Sequence, residues 1–225
     1  MLIHLTADGM TMVRLYWELI SSQMQQVMGT FGKSELGSRF YLAGGTGLAL
    51  QIGHRRSVDL DFFSETEDIP ALRERIFQVL KRHQPVLVDQ SWGNLLFLAD
   101  SVQVGFYGYG YKLVEPTVRA ADIQLASVAD IGLMKLDTLS GRASQKDFID
   151  LYFICQEISL QQLLYIAPDK YPSVRDFEAQ IVRQLAYFER ADQEEPVPLR
   201  QEVAWESVKD FFRQQAVELG RRWLE

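Results

Sequence analysis

The chain has 225 residues, 47% hydrophobic and 24% charged, which suits one large or two small soluble domains. Its net charge of −7 excludes a protein that coats nucleic acid by bulk electrostatics, and its single cysteine, Cys155, excludes an internal disulfide. No apolar run approaches the ~20 residues of a membrane helix. The opening MLIHLTADGM lacks the basic and long apolar regions of a signal peptide, so a cytoplasmic location is expected.

The first predicted element is a helix over Thr11–Phe31, where Val13, Leu15, Tyr16, Leu19 and Ile20 supply much of an apolar stripe. A short strand is predicted at Phe40–Ala43. Gly44 and Gly45 then make a turn, and Thr46 caps a short helix through Gln51. Gly53–Ser57 reads as a basic loop and Val58–Phe63 as the next strand. Asp68 is the expected N-cap of a helix to about Arg82, with Pro70 in its first turn and Leu72, Ile76, Phe77 and Leu80 inward. Three apolar runs follow: Val86–Val88, Leu95–Leu98 and Val102–Tyr107. Trp92-Gly93-Asn94 and Ala99-Asp100-Ser101 bound them, which predicts antiparallel strands joined by hairpins.

From Val128 the pattern turns helical. Helices are predicted over Val128–Leu139, Gln145–Glu157, Leu160–Ile166, Ser173–Phe188 and Val203–Leu224. The acidic stretch Asp192–Pro198, with two prolines, is the expected linker. A mixed α/β first half is thus followed by a helical second half, and a cleft between halves is a natural ligand site.

Two groups of residues carry candidate chemistry. The first lies in FYLAGGTGLALQIGHRRSVDLDFF, Phe40 to Phe63. Successive strand side chains alternate between faces, so Asp59 and Asp61 share one face and Leu60 takes the other. Two neighbouring carboxylates repel, and a divalent cation relieves the repulsion. Mg²⁺ favours one or two carboxylates plus substrate phosphates. The Gly-Gly turn presents backbone N–H groups where a helix begins, which suits a phosphate. Turn and carboxylates together point to a metal-dependent site for a nucleoside triphosphate. The alternative is a tight turn and a strand with solvated aspartates.

The second group is Lys135 with Asp147 and Asp150. Lys135 shares a helical stripe with Ile131 and Leu139. It either snorkels at the core's edge or aims into a cleft to meet phosphate oxygens. Asp147 and Asp150 share a helix face, and the plain alternative is a Lys146–Asp150 surface pair.

Other residues are weaker candidates. Arg55, Arg56, Lys81 and Arg82 offer a local basic patch, and the Arg55 guanidinium suits phosphate. His54 reads as a solvated loop histidine, and Cys155 as a buried, inert thiol. Phe106, Tyr107, Tyr109 and Tyr111 either stack a base or pack the sheet.

These motifs, with KLDTLSGRASQKDFIDLYFI from Lys135 onward, resemble the AbiEii-type nucleotidyltransferase family, toxins of abortive-infection and toxin–antitoxin systems. The resemblance runs from about Phe40 to Glu157. It implies a polymerase-β-like nucleotidyltransferase core with a mixed sheet, residues 1–125 with the N-terminal helix. A helical C-terminal region, residues 126–225, would complete the active-site cleft. The family implies that Asp59 and Asp61 hold Mg²⁺. Lys135 and Asp150 would join them in catalysis. Gly44, Gly45, Thr46, Arg55, Ser57 and Asp147 would serve the nucleotide. An NTP substrate, an RNA acceptor such as a tRNA end and a cognate antitoxin are further implications.

One departure stands out. Gly105 in VQVGFYGYGY aligns where many relatives place a third carboxylate. Asp150 or Asp147 then substitutes, or metal alone activates the acceptor, or transfer is lost and the chain is a nucleotide- or partner-binding module. A protein or small-molecule acceptor is a further alternative.

Overall fold

In Asp59–Ser64 every second side chain is buried, and this strand sets the frame of the first part of the chain. The computed structural model describes residues 4–6, 9–11, 14–91 and 93–222. The chain divides into two compact units, Met1–Ser127 and Val128–Glu225.

The first unit opens with the antiparallel pair β1 (His4–Thr6) and β2 (Gly9–Thr11). Its main sheet comprises β3 (Tyr41–Leu42), β4 (Asp59–Ser64), β5 (Val86–Ser91), β6 (Asn94–Ala99), β7 (Val102–Gly108), β8 (Val118–Ala120) and β9 (Ile123–Leu125). The spatial order is β5-β6-β7-β4-β3-β9-β8. The β4–β7 and β3–β9 pairs are parallel and the remaining pairs antiparallel, so the sheet is mixed. Three helices accompany it: α1 (Ser22–Gly32), α2 (Gly44–Ile52) and α3 (Arg73–Leu80).

Aromatic side chains build this unit's core. Phe31 of α1 lies 4.6 Å from Phe62 and 5.0 Å from Phe106, ring centre to ring centre. All three are fully buried. Each such side chain stabilises the fold by roughly 2–3 kcal/mol relative to exposure. Leu60 and Phe62 therefore pin one face of β4 to the core and leave Asp59 and Asp61 on the other.

The second unit comprises α4 (Val128–Leu139), α5 (Gln145–Ile154), α6 (Leu160–Lys170), α7 (Phe177–Gln184) and α8 (Trp205–Arg221). Phe148 centres its core, 4.9 Å from Phe188 and 5.4 Å from Phe212. Ser144 and Ser159 cap α5 and α6 through reciprocal side-chain and backbone bonds with Asp147 and Gln162.

Several elements differ from expectation. The helix predicted over Thr11–Phe31 begins only at Ser22. Ser21 is extended and its hydroxyl accepts from Met24 N at 3.1 Å, so it starts the helix. Of the residues before it, Met12 and Val13 lie outside the described ones, as do Trp92 and Leu224. The helix predicted from Asp68 is split: Pro70–Leu72 is a 3-10 turn, α3 follows, and Lys81–His83 closes it as another 3-10 turn. Helix α7 covers only the middle of Ser173–Phe188. Strands β8 and β9 were not anticipated. Asp192 in the expected linker is docked: it accepts from Trp205 Nε1 at 2.7 Å and Lys209 Nζ at 2.9 Å.

Candidate active site

Asp59 and Asp61 lie two residues apart on β4, a backbone rise of roughly 7 Å, both half-buried on one face. Ala43 N donates to Asp61 O at 3.1 Å, so α2 starts beside Asp61. Gly44 there takes φ +60°, and a side chain on it would begin 2.5 Å from Asp61 Oδ2. Glycine satisfies both the left-handed backbone and the close approach. The Asp61 carboxylate thus lies under the first turn of a nine-residue helix. The first N–H groups of a helix have no partner within it, and the end carries roughly half a positive charge.

Thr46 and Arg55 behave differently from expectation. Thr46 does not cap α2, whose N-cap is Ala43. It is fully buried, and its hydroxyl donates to the Asp59 carbonyl. It therefore fixes α2 against β4 at the level of Asp59. The basic loop is not solvated throughout: His54 and Arg55 are buried, and only Arg56 is exposed. Arg55 Nη1 donates to Arg56 O at 3.0 Å. Its other guanidinium nitrogen and the Ser57 hydroxyl crowd the point where a Gly45 Cβ would stand. The expected patch of four surface cations is therefore not what Arg55 belongs to. Its charge backs the α2 turn, where it adds to the helix end's positive potential.

On the other side of Asp61 stands β7. The register pairs Asp61 with Gly105 and Phe63 with Tyr107. Gly105, where the family resemblance implies a third carboxylate, is thus the neighbour of Asp61 on the next strand. A Cβ on it would overlap the Tyr107 hydroxyl and ring. Tyr107 folds back over Gly105 and stacks on Phe63 at 4.9 Å, with Phe63 in turn 6.0 Å from Tyr41. The rings stack face to face across three strands, so this row packs the sheet rather than offering a face to a base.

The first-unit residues fit a divalent ion. Asp59 and Asp61 offer hard oxygen donors, and Gly44 leaves the space beside Asp61 that a Cβ would fill. Among the described residues no group of three or more His, Cys, Asp or Glu side chains is placed to hold a metal. Two carboxylates alone suit Mg²⁺ when substrate phosphates complete its shell.

The second unit carries its own charged cluster. Lys135 Nζ lies 2.8 Å from Asp147 Oδ1 and 2.7 Å from Asp150 Oδ2. Both aspartates are fully buried and Lys135 nearly so. Lys146 is exposed, and Asp150 turns to Lys135 instead. Asp147 also accepts from Arg142 Nε at 3.1 Å and Ser144 Oγ at 2.6 Å. Burial, the largest single influence, pushes the Asp147 carboxyl up. The charges of Lys135 and Arg142 and hydrogen bonds from Lys135 and Ser144 outweigh it, holding the carboxyl at about 2. Cys155 is half-buried rather than buried as expected, and the desolvation it does experience pushes its thiol up to about 12, so little thiolate forms at neutral pH.

Sequence reasoning missed two features here. Arg142 joins Asp147 from the turn before α5; its place five residues ahead of Asp147 was the available signal. Asp130 and Lys170 form a second ion pair at 2.9 Å, with both side chains fully buried. No sequence pattern links residues forty apart, although a lysine ending the apolar stripe of α6 was a hint.

The mixed sheet thus sets two carboxylates of one strand beside a glycine-opened helix. The family described as nucleotidyl transferase AbiEii toxin, type IV toxin–antitoxin system, matches residues 26–218, and the chain belongs to that family. It is accordingly a nucleotidyltransferase. An uncharacterized protein of Aquifex aeolicus (strain VF5) is 37% identical over 183 residues, spanning 80% of this chain and 87% of its own length. Two solved structures share the fold. MenT4, a nucleotidyltransferase toxin from Mycobacterium tuberculosis H37Rv, aligns at TM-score 0.58 and 16% identity, over 88% of this chain and 82% of its own. A protein of H. pylori described as a nucleotidyltransferase aligns at TM-score 0.53 and 16% identity, over 90% and 95%. No helix among the described residues is long and apolar enough to cross a membrane.

Proposed function

We propose that this chain transfers a nucleoside monophosphate from an NTP to an RNA hydroxyl, such as a tRNA end. It would act as the Mg²⁺-dependent toxin of a system with a cognate antitoxin. The observation that carries the reading is Asp61 lying under Gly44 at the start of α2. A carboxylate that binds a cation and a helix end that binds phosphate are then side by side.

Asp59 and Asp61 would hold the metal, which would neutralise triphosphate charge when bound. The N–H groups of Gly44, Gly45 and Thr46 receive phosphate oxygens. Arg55, held near Ser57 behind that turn, strengthens the positive field. In the reaction the acceptor oxygen bonds to the α-phosphorus as its bond to the bridging oxygen breaks. Pyrophosphate leaves with the electron pair, and the acceptor proton passes to solvent.

Lys135 and Asp150 belong to catalysis in this proposal, and Asp147 to the nucleotide-binding set. Their support is that burying charge is costly and that buried, strongly perturbed groups cluster at functional sites, as they also do in purely structural ion-pair networks. Asp147 is also committed to capping α5, which favours Asp150 as the carboxylate of the two that acts.

Gly105 favours a second reading, a module that binds nucleotide or a partner without transferring. Incubation with α-³²P-labelled NTPs and total RNA, bulk protein or aminoglycosides separates the possibilities. Label on RNA supports the proposal. Label only on protein or small molecules replaces the acceptor, and nucleotide binding without any product supports the second reading.

A further inference from the structure

The Asp61 carboxylate has Gly44 on one side and, across the β4–β7 pair, Gly105 on the other. Gly105 is not an empty position. The Tyr107 ring lies over it, with the hydroxyl against the Gly105 Cα, so that a single methyl there would collide with the phenol. Residues 105 and 107 point to the same face of β7, and residues paired across a parallel ladder point the same way. Adjacent strands run about 4.8 Å apart. The phenol oxygen therefore sits on the Asp61 face, one strand over from Asp61. Tyr107 is fixed there by its stack on Phe63, whose ring is 4.9 Å away and 27° from parallel.

We propose that Tyr107 is a positioning residue for the metal-binding carboxylate: its phenol donates a hydrogen bond to Asp61 and orients it. Three considerations support this. A neutral phenol beside two carboxylates adds no repulsion, whereas a third carboxylate would. A phenol donates to an anion, and such a charge-assisted bond is among the stronger ones. And the glycine has a stated reason, because the phenol reaches that point only when residue 105 lacks a side chain. Partners that orient a metal-ligating carboxylate contribute about 10- to 100-fold in metal affinity or activity.

The inference rests on Asp61 being a metal ligand, and the test separates the two. Binding of Mn²⁺, read as loss of the free-ion paramagnetic resonance signal, is measured with and without each of ATP, CTP, GTP and UTP. The proteins are the native chain, Asp61→Asn, Tyr107→Phe and Gly105→Ala. Tyr107→Phe keeps the ring and its stack and removes only the hydroxyl, so it should still fold cooperatively, with a melting temperature lowered by no more than one lost hydrogen bond. The expected result is loss of Mn²⁺ binding in Asp61→Asn and a roughly 10-fold or greater weakening in Tyr107→Phe. Gly105→Ala, if folded, should weaken it likewise by displacing the phenol. Native affinity in Tyr107→Phe alongside loss in Asp61→Asn overturns the inference and leaves the metal site standing. Native affinity in Asp61→Asn overturns both.

Discussion

Asp61 and Gly44 are in contact that no other residue at position 44 would permit: a side chain there would start 2.5 Å from Asp61 Oδ2, on a backbone with φ +60°. This one relationship joins the metal-binding candidate to the phosphate-binding candidate. Gly44→Ala should cost about 1–3 kcal/mol from backbone strain alone and push the Asp61 carboxylate aside. Urea unfolding and NTP binding check it together. The expected outcome is a lower unfolding midpoint and weakened binding, whereas native values for both would contradict the geometry.

The pair Asp130–Lys170 is fully buried and tests packing in the second unit alone. Lys170→Met leaves a buried carboxylate without its cation, at an expected cost of about 3–5 kcal/mol. Replacing both, Asp130→Leu with Lys170→Met, should recover most of that loss. Denaturant melts of the two variants decide it. A single variant as stable as the native chain would show that the pair is not closed from water.

Acid should act through Asp147. Its carboxyl is held at about 2, below the ordinary value of 3.8. The stability it contributes is therefore complete above the ordinary value and is lost as pH falls toward 2, on the order of 2 kcal/mol. Between pH 5 and pH 2.5 the native chain should lose more stability than Asp147→Asn. Equal losses in a pH series of urea melts would remove Asp147 as the cause.

Cys155, although half-buried, should alkylate more slowly with iodoacetamide at pH 8 in the folded chain than in urea, because partial desolvation keeps it a thiol. Fast labelling of the folded protein, followed by mass, would contradict that.

Much of the fold was legible because its signals are local. The apolar periodicity of Val128–Leu139 marks α4 from end to end, and the alternation around Leu60 and Phe62 marks β4. The hairpins β5-β6-β7 follow from apolar runs between turn residues. What failed depends on single side chains or distant partners. Ser21 caps α1 so that it begins at Ser22, eleven residues later than the apolar stripe suggests. Strands β8 and β9 have three residues each, too few for a pattern, and turn through Ala121 at φ 54°. His54 is a loop residue as expected, but it is fully buried rather than solvated. At the site, the shared face of Asp59 and Asp61 was readable from strand period alone. That Tyr107 covers Gly105 was not, because it depends on how the ring folds back along the strand.

The most direct measurement is transfer of α-³²P label from each of the four NTPs to total RNA, with and without Mg²⁺. The native chain is compared with Asp59→Asn and Asp61→Asn. The account predicts a labelled RNA species that requires Mg²⁺ and disappears in both variants. Undiminished labelling in the two variants would contradict it, since the carboxylates of β4 would then take no part in the reaction.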